Sequence, residues 1–252
     1  MAAAIIARRR VERRDLWWLE PLAIVIVLGT FVAYSAWAGL QNANYFADPY
    51  LSPFYSPCLS ANCTEVTFPL IGSWWVWSPA ILIVPFPLVF RLTCYYYRRS
   101  YYRAFFWAPP ACVVPDARHR YSGESKFPFL LQNLHRYAFY AAVLVLAILA
   151  YDAIRAFGFR DGIHAGVGTL IMVANVGFLS LYTFSCHSCR YLCGGYLDQF
   201  HNAPLRFRLW SAVNRLNVRH GLFAWLSLFS VGLTDVYIRL VASGALTDLR
   251  IL

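Results

Sequence analysis

The chain has 252 residues, of which 60% are hydrophobic, 18% aromatic and only 13% charged, about half the charge density of an average soluble domain. That composition excludes a soluble globular enzyme and marks an integral membrane protein, with apolar runs recurring so closely that no separate soluble domain has room. The net charge of +10 is not a nucleic-acid footprint, because 18 of the 22 Lys and Arg residues fall in the N-terminal tail and in two regions, 91–136 and 190–219, that alternate with basic-poor ones. This is the positive-inside pattern, and no nucleic-acid partner is expected.

The predicted fold is an all-α integral membrane protein: one membrane-anchor domain over 1–252 with five transmembrane helices, N-terminus cytoplasmic and C-terminus outside. The expected spans are 16–40, 71–95, 129–157, 163–185 and 220–242, each near the length of about 20 apolar residues that crosses a bilayer. The tail Arg8-Arg9-Arg10-Val11-Glu12-Arg13-Arg14 precedes an apolar segment too long for a signal-peptide core, so that segment is read as the first span. Residues 41–69 form a loop without Lys or Arg, in which Cys58 and Cys63 are placed to close a small disulfide loop in an oxidising compartment. Span two carries Pro79, Pro85 and Pro87, which remove helix donors and kink it. It ends at Cys94, before the aromatic and basic run 95–103, an interfacial anchor of snorkelling Arg and Tyr.

Span three opens with Gln132-Asn133-Leu134-His135-Arg136-Tyr137, polar residues at the cytoplasmic end of an apolar helix, which makes His135 a functional candidate. Span four carries Gly166, Gly168, Ala174 and Gly177, small enough to permit close helix contact. It runs into Ser185-Cys186-His187-Ser188-Cys189-Arg190-Tyr191-Leu192-Cys193, three thiols and an imidazole in eight positions. A basic loop over 190–219 then leads to span five, which begins at His220.

This topology collects five of seven thiols and five of six imidazoles on the cytoplasmic side, a concentration that favours a metal site over incidental packing. His119, deep in a basic loop, is set aside, and Cys193 and His201 lie further back. The four residues at matching depth are Cys186, Cys189, His135 and His220, with Cys94, Cys112 and His187 as reserves. Thiolates suit soft or borderline metals and imidazole suits zinc, copper and iron. Three sites fit this donor mixture. A closed tetrahedral zinc takes all four ligands. A haem b takes His135 and His220 as axial ligands and leaves the thiols unused, whereas a Rieske-type two-iron two-sulfur (2Fe-2S) cluster takes two Cys on one iron and two His on the other. Outside metal chemistry, Cys186 and Cys189 also form the spacing of a membrane thiol oxidoreductase, although inward-facing thiols do not suit disulfide transfer to secreted proteins. A transporter has little support, because few acidic residues lie within the spans.

Several uncommon tracts in order carry a family resemblance: Cys94-Tyr95-Tyr96-Tyr97-Arg98-Arg99-Ser100-Tyr101-Tyr102-Arg103, Pro109-Pro110-Ala111-Cys112, Gln132-Asn133-Leu134-His135-Arg136-Tyr137, Ser185-Cys186-His187-Ser188-Cys189-Arg190 and Leu216-Asn217-Val218-Arg219-His220. Together they resemble the single membrane-anchor subunit of actinobacterial succinate dehydrogenases. The resemblance implies a Rieske-type 2Fe-2S cluster inside the membrane, and flavoprotein and iron-sulfur subunits docked on the cytoplasmic face. It also implies a quinone, menaquinone, as acceptor near that interface, and a multi-pass location in a bacterial plasma membrane. It implies an enzyme subunit that is not catalytic alone. Adjacent Cys186 and His187 depart from the usual Cys-x-His and Cys-x-x-His pairing of Rieske sites, which points to histidines from other helices.

Overall fold

The computed structural model describes residues 15–57, 78, 80–114, 125–127, 129–159, 162–195 and 197–252. The N-terminal arginines, Cys58, Cys63, Pro79 and His119 lie outside them. In chain order the helices are α1 (Leu19–Gln41), α2 (Ala80–Ile83), α3 (Pro85–Thr93), α4 (Tyr95–Phe105), α5 (His135–Arg155), α6 (Val167–Phe184), α7 (His187–Gly194), α8 (Pro204–Asn217) and α9 (His220–Ala242). A 3-10 turn over Phe129–Leu134 leads into α5. Two minimal hairpins join them: β1 (Phe46–Ala47) with β2 (Tyr50–Leu51), and β3 (Gly158–Phe159) with β4 (Gly162–Ile163).

Helix α1, the turn with α5, α6 and α9 are each long and apolar enough to cross a membrane, and the pair from Ala80 to Phe105 makes a fifth crossing if counted as one broken span. In hydrocarbon every backbone polar group must be satisfied within the chain, which is why these apolar runs close as helices. Their ends follow local chemistry. α1 stops at Asn42, held in the left-handed region at φ 49°, and Pro85 opens α3 at a position where its missing N–H costs nothing.

The expected span over 71–95 is not one straight helix through its last residues. It ends at Thr93. Cys94 is extended (φ −64°, ψ 128°), and α4 departs at 79° to the preceding pair. The aromatic and basic run is thus a helix of its own, turned across the bundle end as an interfacial segment would be. Span four starts at Val167, because Gly162 and Ile163 are used in the second hairpin and Ala165 and Gly166 pair with the C-terminal residues 250–252. The region 190–219, expected as a loop, contains most of α7 and all of α8, whose first residue is Pro204.

In the bundle α6 packs on both α5 and α9, α3 packs on α5, and α1 rests against α4. At the hairpin end Tyr50 is almost fully buried, and a Cβ on Gly168 would stand 2.7 Å from its ring. Gly177 meets nothing within 4 Å, so its smallness serves no such contact. At the same end Asp235 is fully buried, ion-paired to Arg239 at 2.7 Å and hydrogen-bonded by Tyr34 and Ser52. Arg239 also donates to Gln41 Oε1 and to the Ala38 and Ala43 carbonyls, so one satisfied network ties α1 and the first hairpin to α9. At the opposite end a buried cluster of Phe90, Cys94, Tyr97, Phe139, Tyr182 and Cys186 forms the floor of the site.

Candidate metal centre

Two helix breaks build the site. Cys94 separates α3 from α4, and Cys186 follows α6 and caps α7 with an extended backbone (φ −68°, ψ 151°). At each break the chain turns from one helix into another, so the thiol is buried against the bundle end: Cys94 is 2% exposed and Cys186 1%. The thiols also sit at the N-terminal ends of α4 and α7.

The imidazoles come from the first residues of α5 and α9. His135 Nε2 lies 3.0 Å from Cys186 Sγ, and His220 Nε2 lies 3.3 Å from Cys94 Sγ. Their outer nitrogens are held by hydroxyls: His135 Nδ1 by Thr93 Oγ1 at 2.9 Å, and His220 Nδ1 by Ser185 Oγ at 2.7 Å. Each hydroxyl already gives its proton to a helix carbonyl, Thr93 to Val89 at 2.7 Å and Ser185 to Tyr182 at 3.1 Å. Each therefore accepts from Nδ1–H. The hydrogen-bond network thus assigns both rings the tautomer whose Nε2 lone pair faces a sulfur. Aromatic rings fix the imidazole planes from behind, Phe90 stacked on His135 at 5.0 Å between centroids and Tyr182 on His220 at 5.1 Å.

Cys94, Cys186, His135 and His220 line one cavity of about 580 Å³, together with His187. Cys189 is not on that wall. One turn further along α7, its free thiol is hydrogen-bonded with that of Cys193. Cys112 is exposed in the segment after α4. Of the four expected ligands, then, three converge and Cys94 takes the place beside them. Among the described residues no three His, Cys, Asp or Glu side chains are grouped as a single ion requires. The donors form two Cys–His pairs on the wall of one cavity.

The electrostatics outside the spans agree with buried, protonated thiols in the metal-free chain. Burial, then the nearby Cys94 sulfur, push the Cys186 thiol up to about 12, against hydrogen bonds from Ser188. Burial and Cys193 raise Cys189 to about 11. Burial and the charge of Arg190 lower His187, which keeps it neutral and able to act as a donor atom. Neither member of the Cys186/Cys189 pair has the depressed pKa of a redox-active thiol.

Sequence reasoning passes over Thr93 and Ser185, the groups that orient the histidines. A signal for them exists: each span that ends at the site ends in a hydroxyl residue followed by Cys, Thr93-Cys94 and Ser185-Cys186.

A family model, actinobacterial succinate dehydrogenase subunit SdhC, matches residues 19–244. Among solved structures the chain is similar to a subunit of the Mycobacterium smegmatis Sdh1 complex in the apo form, with 44% sequence identity, a TM-score of 0.87, and coverage of 96% of this chain and 94% of that one. No curated protein sequence matches the chain. The order of helices and both comparisons agree: the chain belongs to the actinobacterial succinate dehydrogenase subunit SdhC family, and is a multi-pass plasma-membrane subunit that works with the other succinate dehydrogenase subunits and is not catalytic alone.

Proposed function

We propose that this subunit anchors a succinate:quinone oxidoreductase and passes electrons from its soluble subunits to quinone through a Rieske-type 2Fe-2S cluster. The flavoprotein carries the oxidation of succinate, and an iron-sulfur subunit docks at the site end, which faces the cytoplasm with the N-terminus while the C-terminus lies outside. The observation that carries this reading is the pair of oriented imidazoles: two neutral histidines, each with its Nε2 lone pair directed at a buried thiol.

The donor set fits the group. Cys94, Cys186, His135 and His220 would hold the cluster, with His187 in reserve on the same cavity wall. When bound, such a cluster supplies one-electron relay at a potential raised by its histidine ligands above that of all-Cys clusters. Thr93 and Ser185 hold the rings and tautomers, as partners of metal-bound histidines do elsewhere. The apolar floor of Phe90, Tyr97 and Tyr182 keeps water from the inner side. Reduction of the quinone, which the family resemblance makes a menaquinone, takes two electrons and two protons per quinol formed. Docking falls to the exposed face of α4 and α8, where Arg99 and Arg208 are exposed. Arg206 instead donates to the Cys193 and Gly195 carbonyls at 2.9 and 2.8 Å and closes the end of α7.

Haem b is the competing reading, with His135 and His220 as axial ligands. The geometry favours the cluster, because each Nε2 meets a sulfur rather than an open gap between facing imidazoles. The test is electron paramagnetic resonance and optical spectroscopy of the reduced, purified complex, beside a His135→Ala/His220→Ala double variant. A Rieske-type signal in the parent that is absent from the variant is the expected result. Haem bands in the parent, or a Rieske signal that survives the double substitution, overturn the assignment.

A further inference from the structure

A second cavity, of about 610 Å³, opens on the outside of the bundle where the first turn of α5 meets α7 and α8. Two arginines from different helices line it, Arg136 on α5 and Arg190 on α7. Each is held by a neighbour. The Arg136 guanidinium lies 4.3 Å from the centre of the Tyr191 ring, and Arg190 Nη1 donates to Asn214 Oδ1 at 3.1 Å. Trp210 of α8 closes one side, so near to α7 that a Cβ on Gly194 would stand 2.3 Å from its ring. Among the described residues, the lining holds no Asp or Glu.

Two guanidiniums that share a cavity without a carboxylate favour an anion, and their geometry suits phosphate, whose oxygens accept parallel N–H bonds from such a fork. The bond to Asn214 uses one of the five N–H donors of Arg190. The surface next to the cavity has a different character. Tyr137, Tyr140 and Leu144 are three and four residues apart, so they share one face of α5, and they are 69%, 49% and 64% exposed. That face leads from the cavity toward the middle of the span, where it meets hydrocarbon. Tyr137, Tyr191 and Trp210 around the cavity are of the residue types enriched at head-group level. A cationic polar pocket that continues into an exposed apolar helix face matches a molecule with phosphate at one end and hydrocarbon at the other. A soluble acidic peptide would leave the apolar face unmatched.

We propose that this cavity binds the phosphate of an anionic phospholipid, with Arg136 and Arg190 donating to its oxygens and an acyl chain lying along Tyr140 and Leu144. A zwitterionic phospholipid carries the same phosphate, but its ammonium group would face two arginines and no carboxylate on the described wall. Binding has a structural consequence. Arg136 directly follows His135, and the Arg190 backbone N–H donates to the Cys186 carbonyl at 3.1 Å. A phosphate held by both arginines therefore ties together the two helices that bring His135 and Cys186 within 3.0 Å of each other. The inference is independent of the group those side chains hold.

The test is native mass spectrometry of the purified, delipidated complex titrated with phosphatidylglycerol or phosphatidylcholine. It is run on the parent and on Arg136→Gln/Arg190→Gln, Arg136→Lys/Arg190→Lys and Arg155→Gln variants. Arg155, exposed at the far end of α5, controls for the loss of a positive charge outside the cavity. Phosphatidylglycerol should bind the parent about tenfold more tightly than phosphatidylcholine does, and the Gln pair should raise its Kd by about tenfold. Arg155→Gln should stay within about twofold of the parent. The Lys pair, which keeps the charges and loses the planar forks, should fall between the parent and the Gln pair. If the Gln pair does not assemble, the weakening is read in the Lys pair, and the head-group preference is read in the parent. Equal binding of both lipids overturns the proposal, as does a Kd unchanged in both pair variants or weakened as much in Arg155→Gln. Inorganic phosphate that displaces the lipid as fully as excess lipid does marks a free-anion site and overturns the lipid occupant. A parent complex that takes up no phosphatidylglycerol overturns it too, and leaves this face to the soluble subunits.

Discussion

Thr93 and Ser185 have exchanged partners across the candidate metal centre. Thr93 holds His135, whose other nitrogen faces Cys186, and Ser185 holds His220, whose other nitrogen faces Cys94. Each hydroxyl–Cys dipeptide therefore orients one histidine and offers its thiol to the other, so neither helix break can shift without disturbing both pairs. Loss of a hydrogen bond behind a ligating histidine typically costs about 10- to 100-fold in metal affinity or activity. Ser185→Ala and Thr93→Val should each lower cluster iron and acid-labile sulfide per complex and shift the resonance spectrum, while Ser185→Thr and Thr93→Ser restore both. Spectra indistinguishable from the parent in the Ala and Val variants would deny the hydroxyls this role.

Cys94 and Cys189 give the sharpest contrast between what spacing implies and what the fold arranges. Cys94→Ser is expected to abolish the cluster signal, whereas Cys189→Ser retains it, because the Cys189 thiol is hydrogen-bonded with Cys193 rather than lining the cavity. The reverse outcome would return the ligand role to the Cys186/Cys189 pair. Iron content and resonance spectra of the two purified variants decide it.

The pattern of legibility follows from this contrast. His135 and His220 are readable from sequence, because a polar group at the end of an otherwise apolar span is costly and marks itself. Cys186 is readable from its thiol-rich neighbourhood. That Cys94 rather than Cys189 lines the cavity is not, because it depends on where helices break. An extended residue at 94 brings a thiol to a histidine 126 positions away, whereas Cys189 and Cys193, four apart on α7, share a helix face. The four unbroken spans are legible from apolar run length alone. The break at Cys94 is not, since prolines at 85 and 87 announce a disturbance but not its position. The helices within 190–219 are hidden for a different reason: they are short, mixed in polarity and shaped by packing of α7 against α8.

The network at the opposite end predicts a stability effect independent of the metal centre. Asp235 and Arg239 are both buried, so removing the carboxylate strands a guanidinium in the bundle. Breaking such a pair costs about 3–5 kcal/mol, while replacing both partners with apolar residues of similar volume is often neutral. Asp235→Ala should lower the midpoint of thermal unfolding in detergent sharply, and Asp235→Leu/Arg239→Met should recover much of the loss. An unchanged midpoint in Asp235→Ala would mean that the hairpin and α1 are held by packing alone.

Thiol reactivity in the cluster-free subunit supplies a pH test. Only the thiolate attacks an alkylating reagent, and burial with Cys193 beside it raises Cys189 to about 11. Its thiolate fraction is therefore small at pH 7 and grows about tenfold per pH unit below that value. Iodoacetamide should modify exposed Cys112 rapidly and Cys189 slowly at neutral pH, with the Cys189 rate climbing at close to that slope through pH 9 and 10. Mass spectrometry of peptides from a pH series reads both sites at once. Fast, pH-independent labelling of Cys189 near pH 7 would reveal an activated thiolate and revive a thiol-exchange role for α7. The slow, steep profile is what a half-buried thiol hydrogen-bonded to its neighbour requires.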